Sequence, residues 1–186
     1  SERTIQMGNG NRGNIMIIKN GLVFTPEGKF EKKDLYVEGE YVAKETTDNK
    51  EVEAEGCYVI PGLVDIHFHG CVRHDMCDGT EESIQALADY EAANGVLAIC
   101  PATMTIPEEE LFQAMKAAKG HKNGKGADLV GINMEGPFIN KEKKGAQKEE
   151  DIKLADVELF HKLQEAAGGL IKLVDLAPET EGAMDF

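Results

Sequence analysis

The feature that most limits what this chain can fold into is a repeated alternation. Short apolar segments occur at 63–69 (LVDIHFH), 96–105 (VLAICPATMT), 129–138 (LVGINMEGPF) and 169–179 (GLIKLVDLAPE). Helix-like stretches separate them. TEESIQALADYEAANG has Thr80 and acids at its start and Gly95 at its end, and IPEEELFQAMKAAKG runs from Pro107 and three acids to a lysine and Gly120. A capping hydroxyl, acids in the first turn and a terminal glycine are helix boundaries with a mechanism. A third helix is expected from about 151 to 167. Strands apolar on both faces, joined by amphipathic helices, require a parallel sheet. Two architectures satisfy that, an open doubly wound sheet and a (β/α)₈ barrel. The first strand ends in His-Phe-His-Gly rather than a glycine-rich phosphate loop, and successive strands end in polar residues. Both points favour a barrel, whose chemistry sits at the C-terminal ends of its strands. The fold class expected is therefore α/β, a partial (β/α)₈ TIM barrel of about the first four β/α units.

Residues 15–57 follow a different rhythm. IMIIKNGLVFT carries a KNG turn signal, KKDLYVEGEYVAKE alternates apolar and polar residues around Gly39, and KEVEAEG alternates again. This pattern predicts a small antiparallel β layer ahead of the barrel. The lead, residues 1–14, is polar and rich in Gly and Asn, without the apolar centre of a signal peptide. It reads as a disordered lead or tag, with Met16 as a natural start. The domain organisation expected is thus 1–14 lead, 15–57 β portion, and 58–186 the first half of the barrel.

A formal net charge of −14 repels phosphate backbones and anionic lipid heads, so neither nucleic acid nor membrane is an expected partner. No apolar run reaches the ~18 residues of a membrane helix. Cys57, Cys71, Cys77 and Cys100 form no CxxC pair, which argues against a disulfide framework and for a reducing, cytoplasmic setting.

The chemistry gathers at three places. In Asp65-Ile66-His67-Phe68-His69, strand alternation puts Asp65, His67 and His69 on one side. Two imidazoles at a strand end can grip one metal ion. Asp65 either orients a ligand histidine from behind or caps the strand end. In Asn133-Met134-Glu135-Gly136-Pro137-Phe138, Gly-Pro stops the strand directly after Glu135, at the mouth that holds His69. One carboxylate with two imidazoles is an acceptable divalent set that leaves room for an activated water. The third place is Lys143-Lys144-Gly145-Ala146-Gln147, a basic loop tip in an acidic chain. The set Cys71, His74, Asp75 and Cys77 matches no compact zinc module and reads as loop residues. His74, His121 and His161 are no substitutes for the missing ligands of a complete site.

Pro61-Gly62-Leu63-Val64-Asp65-Ile66-His67-Phe68-His69-Gly70 resembles the PG-(apolar)₂-D-x-H-x-H-G signature of the amidohydrolase superfamily. Glu135-Gly136-Pro137-Phe138 followed by Lys143-Lys144-Gly145-Ala146-Gln147 resembles the N-acetylglucosamine-6-phosphate deacetylase family, as do Pro101 to Thr105 and Leu176-Ala177-Pro178-Glu179. The resemblance runs from about Met16 to Phe186 and breaks off in mid-domain. It implies a (β/α)₈ barrel beside a small β-sandwich, and hydrolysis of the acetamide of N-acetylglucosamine 6-phosphate. It implies Glu135, His67 and His69 as metal ligands for one or two divalent ions, zinc first, with iron, cobalt or manganese as alternatives. It implies substrate contact by Ala146 and Gln147, where many members have a histidine at the second position. The general-base aspartate and most phosphate contacts are expected beyond Phe186, so the chain alone is expected to be inactive. A phosphorylated amino sugar is the partner implied, with a homodimer at full length. The other readings are a dihydroorotase- or aminoacylase-like amidohydrolase and a non-catalytic half-barrel.

Overall fold

The first strand, β1 (Met16–Phe24), buries Met16, Ile18 and Val23 and leaves Phe24 exposed. In this computed structural model, which describes residues 16–39, 41–46 and 50–186, the chain divides into two compact units, Ser1–Gly62 and Leu63–Phe186. The expected lead, 1–14, lies outside the described residues.

In the first unit β1 is the central strand. It pairs antiparallel with β2 (Phe30–Glu38), which pairs antiparallel with β3 (Tyr41–Ala43). On its other side β1 pairs parallel with β4 (Glu51–Glu53) and β5 (Tyr58–Val59). The sheet is therefore mixed, which corrects the antiparallel expectation. Period-two alternation tells which face is buried but is the same for parallel and antiparallel neighbours, so direction is chosen by the tertiary path. The KNG signal also resolves differently. It forms a bulge inside β1, where the register slips between Ile18 and Gly21. Asn20 takes φ +63 there and its N–H donates to Asp34 Oδ1 at 2.9 Å. The turn proper lies further on, where Thr25 N–H donates to Lys29 O. Met16, Ile18 and Ala54 form the small core under this sheet, with Leu35, Val37 and Val52 packed against it.

The second unit alternates strands and helices. Its strands are β6 (Leu63–Asp65), a small hairpin β7 (Gly70–Cys71) and β8 (His74–Asp75), β9 (Val96–Ile99), β10 (Asp128–Leu129), β11 (Ile132–Glu135) and β12 (Ile171–Asp175). Its helices are α1 (Glu81–Ala93), α2 (Glu108–Gly120) and α3 (Val157–Ala166). β6 pairs with β9, β9 with β10 and β11 with β12, all parallel. A parallel bridge between Ala102 and Asn133 joins the two sets. The α/β class and the parallel sheet are as the sequence pattern requires. The strands are shorter than the apolar segments. β6 stops at Asp65, but the chain stays extended beside its neighbour, with Cys100 N–H donating to Asp65 O and Ala102 N–H to Phe68 O. α3 starts at Val157, later than expected, because Asp156 caps it by accepting from Leu159 N–H at 2.9 Å. The residues before it make only a short 3₁₀ turn at Glu149–Asp151.

One core holds this unit. Ile84 and Leu87 from α1, Leu111 and Met115 from α2, and Leu163 from α3 are all at most 1% exposed, with Ile99, Ile132 and Met134 from the strands. α1 begins where Thr80 Oγ1 accepts from Ser83 N–H at 3.1 Å. Thr80→Ala removes that cap and is expected to lower stability by about 1 kcal/mol, read from the urea midpoint. Among the described residues no helix is long and apolar enough to cross a membrane. All four cysteines are free thiols.

Candidate metal centre

Two segments of the parallel sheet bring their terminal side chains together. His67 and His69 come from the extended chain after β6, and Glu135 is the last residue of β11. Glu135 Oε2 lies 3.5 Å from His67 Nε2 and 3.2 Å from His69 Nε2. The two rings meet edge to face with centroids 5.2 Å apart. One ligand atom from each residue lies within 4.8 Å of the others, and no second group of this kind occurs among the described residues.

Each ligand is held from behind. His69 Nδ1 lies 3.3 Å from Ala102 O. A carbonyl only accepts, so this contact places a proton on Nδ1, and in the neutral ring it leaves the Nε2 lone pair facing Glu135. A lone pair aimed at a carboxylate oxygen is an arrangement that a cation between them would satisfy. The donor set therefore fits a divalent ion. His67 Nδ1 lies 2.9 Å from Asn133 Nδ2, which also donates to Ile66 O at 3.2 Å. Asn133 is 4% exposed, and its Oδ1 is buried without a partner. Glu135 Oε1 accepts from Gln147 Nε2 at 2.7 Å. Asp65 acts on backbone, where Oδ1 accepts from His67 N–H at 3.0 Å.

The loop residues fall unevenly. Ala146 is exposed and Gln147 is buried, 5% exposed, with Lys144 Nζ donating to Gln147 O at 3.0 Å. Cys71 and His74 belong to the β7–β8 hairpin, whose turn residues Val72 and Arg73 both have positive φ. His74 Nδ1 lies 3.2 Å from Ser83 Oγ, and Asp75 caps a short turn through Cys77 N–H. Burial pushes the Cys77 thiol up to about 12, so it stays protonated while its sulfur accepts from Met104 N–H.

Two neighbours of the site escaped the sequence reading. Asp175 ends β12 directly beside Glu135 in the register. Burial, and next the charge of Glu135, raise its pKa, while His67 and His69 oppose the rise. Its signal was positional, since it ends the fourth strand as Glu135 ends the third. Asn133 had no signal, because a polar residue two places before a strand end has no distinctive pattern.

No family model matches the chain. It is 35% identical to N-acetylglucosamine-6-phosphate deacetylase of Bacillus subtilis over 171 residues, 89% of this chain and 42% of that protein. The crystal structure of N-acetylglucosamine-6-phosphate deacetylase from Pasteurella multocida superposes with TM-score 0.81 at 21% identity, over 92% of this chain and 47% of that one. A mutant of the Mycobacterium smegmatis deacetylase in complex with N-acetyl-D-glucosamine-6-phosphate gives TM-score 0.79 at 22% identity, over 93% and 46%. At those identities the structural likeness is one of fold. The chain spans about half the length of the curated relatives it matches.

Proposed function

We propose, from the premise that this chain belongs with the N-acetylglucosamine-6-phosphate deacetylases of the amidohydrolase superfamily, that the whole protein hydrolyses the acetamide of N-acetylglucosamine 6-phosphate. The products are glucosamine 6-phosphate and acetate. The observation that carries the reading is the convergence of His67 and His69, after β6, with Glu135 at the end of β11.

In this reading residues 58–186 form the first half of a (β/α)₈ barrel and 15–57 part of a small β-sandwich. The parallel order of β6, β9, β11 and β12 supports the first part. His67, His69 and Glu135 hold a divalent ion, zinc first. Bound there, such an ion polarises a carbonyl and lowers the pKa of a water. The protein's own residues fix the donors: Ala102 O sets the His69 tautomer, Asn133 seats His67, and Gln147 holds Glu135. Ala146 and Gln147 stand on the loop beside Glu135, where the acetamido group is to lie. The general-base aspartate belongs to the remaining half of the length that the relatives have. The same reading makes the enzyme a cytoplasmic homodimer.

The test is release of acetate from N-acetylglucosamine 6-phosphate. The 186-residue chain alone is expected to show no appreciable turnover, and a chain of the relatives' full length that begins with it is expected to turn over. Full-length protein that ignores this sugar but opens a cyclic amide overturns the reading in favour of another amidohydrolase. Turnover by the 186-residue chain near full-length rates overturns the assignment of the general base.

A further inference from the structure

Gln147 is the most completely committed polar side chain near the site. It is 5% exposed, and its backbone is fixed from both sides: its N–H donates to Lys144 O at 3.1 Å and its carbonyl accepts from Lys144 Nζ at 3.0 Å. The side chain reaches inward from the loop to the ends of two strands.

Its carboxamide can be oriented without ambiguity. Thr105 N–H, which can only donate, lies 2.6 Å from Gln147 Oε1. The oxygen end therefore faces Thr105 and the NH₂ end faces the site. That NH₂ has two protons, and both have acceptors, Glu135 Oε1 at 2.7 Å and Met104 Sδ at 3.6 Å. The second acceptor is a thioether sulfur and a weak one, so the firm bond is the one to Glu135.

The consequence falls on Glu135. A carboxylate at the end of a side chain turns through a broad torsional well. Here one oxygen is fixed by a short, charge-assisted hydrogen bond. The other, Oε2, is the one between the two imidazoles, 3.5 and 3.2 Å from their Nε2 atoms. Gln147 thus makes the carboxylate present a single oxygen to the site. Through Thr105 it ties that oxygen to the backbone that follows β9.

We infer that Gln147 is a positioning residue for the metal-binding carboxylate. The inference rests on the metal reading of His67, His69 and Glu135 given above.

The experiment is a calorimetric titration of Zn²⁺ into the metal-stripped 186-residue chain and its variants. Gln147→Leu is expected to weaken Zn²⁺ binding by roughly 10–100-fold, the usual cost of removing a group that orients a ligand. The same substitution strands Thr105 N–H, so the variant is also less stable. Thr80→Ala, which removes the cap of α1 and no hydrogen bond to His67, His69, Glu135 or Gln147, controls for that and is expected to bind Zn²⁺ as the parent does. Should Gln147→Leu fail to fold, the parent chain still decides the matter by ¹⁵N NMR. Both side-chain amide protons of Gln147 are expected to be protected from exchange and to shift on addition of Zn²⁺. Unchanged affinity in a folded Gln147→Leu overturns the inference while sparing the metal reading. So does a Gln147 amide that ignores Zn²⁺ bound to the parent. A parent chain that binds no Zn²⁺, or binds it equally after His67→Ala, overturns both.

Discussion

Glu135→Ala is expected to abolish measurable Zn²⁺ binding by the chain, together with the deacetylation proposed for a full-length protein. Glu135 supplies the one negative charge in the three-residue group, with two imidazoles 3.2 and 3.5 Å from the same oxygen. Without it two imidazoles remain with no anion opposite. Removing a group that only orients a ligand costs roughly 10–100-fold in affinity. Removing the ligand itself is expected to cost about 1,000-fold or more by the same scale. Calorimetric titration measures it directly. Glu135 is partly exposed, so the far-ultraviolet circular dichroism should stay close to the parent's, while the buried Gln147 NH₂ left without its acceptor should lower the melting temperature modestly. A Glu135→Ala chain that still binds one Zn²⁺ with parental affinity would falsify the assignment of the ion to this site.

Gly136→Ala is the substitution expected to damage the fold most for its size. Gly136 has φ +71, the left-handed region, which costs an L-residue roughly 1–2 kcal/mol. A Cβ there would overlap Thr105 Oγ1, with Thr105 Cβ at 3.1 Å and Cα at 3.2 Å behind it. Thr105 is 2% exposed and has nowhere to move, and forcing an atom into such packing costs typically 1–3 kcal/mol more. The sum, about 2–5 kcal/mol, should appear as a lower urea midpoint with an unchanged slope. Gly28→Ala separates the two causes. It has φ +73 with nothing within 4 Å of the added atom, so only the smaller conformational cost is expected. Gly136→Ala should also weaken Zn²⁺ binding. The displaced Thr105 carries the N–H that holds Gln147, and Gln147 holds Glu135. Equal losses of stability for the two variants would show that the close approach to Thr105 is unimportant.

Much of this was legible along the chain. The helix start at Thr80 was read because a cap is a local contact between a side chain and a backbone N–H three residues on, whereas the start of α3 at Asp156 came later than the expected 151. The placement of Glu135 before a strand-breaking Gly-Pro was equally local. The extent of each strand was not. An apolar segment such as 63–69 shows that residues are to be buried or extended, but its ladder ends at Asp65 because that is where regular pairing with β9 ends. The direction of β4 and β5 against β1 was hidden for a similar reason, since alternation carries no sign.

The sequence by itself determined the class of fold, from the alternation of strand and helix, and pointed to His67, His69 and Glu135 as candidate donors, from residue types placed at strand ends. The tertiary structure alone decided how those donors are held. Asn133 beneath His67 and Ala102 O behind His69 are contacts between residues 66 and 33 apart in the chain, created when parallel strands align, and Gln147 reaches Glu135 from the loop that follows β11. A hydrogen bond has direction and a reach of about 3 Å, and neither is written in the spacing of residues along a single strand.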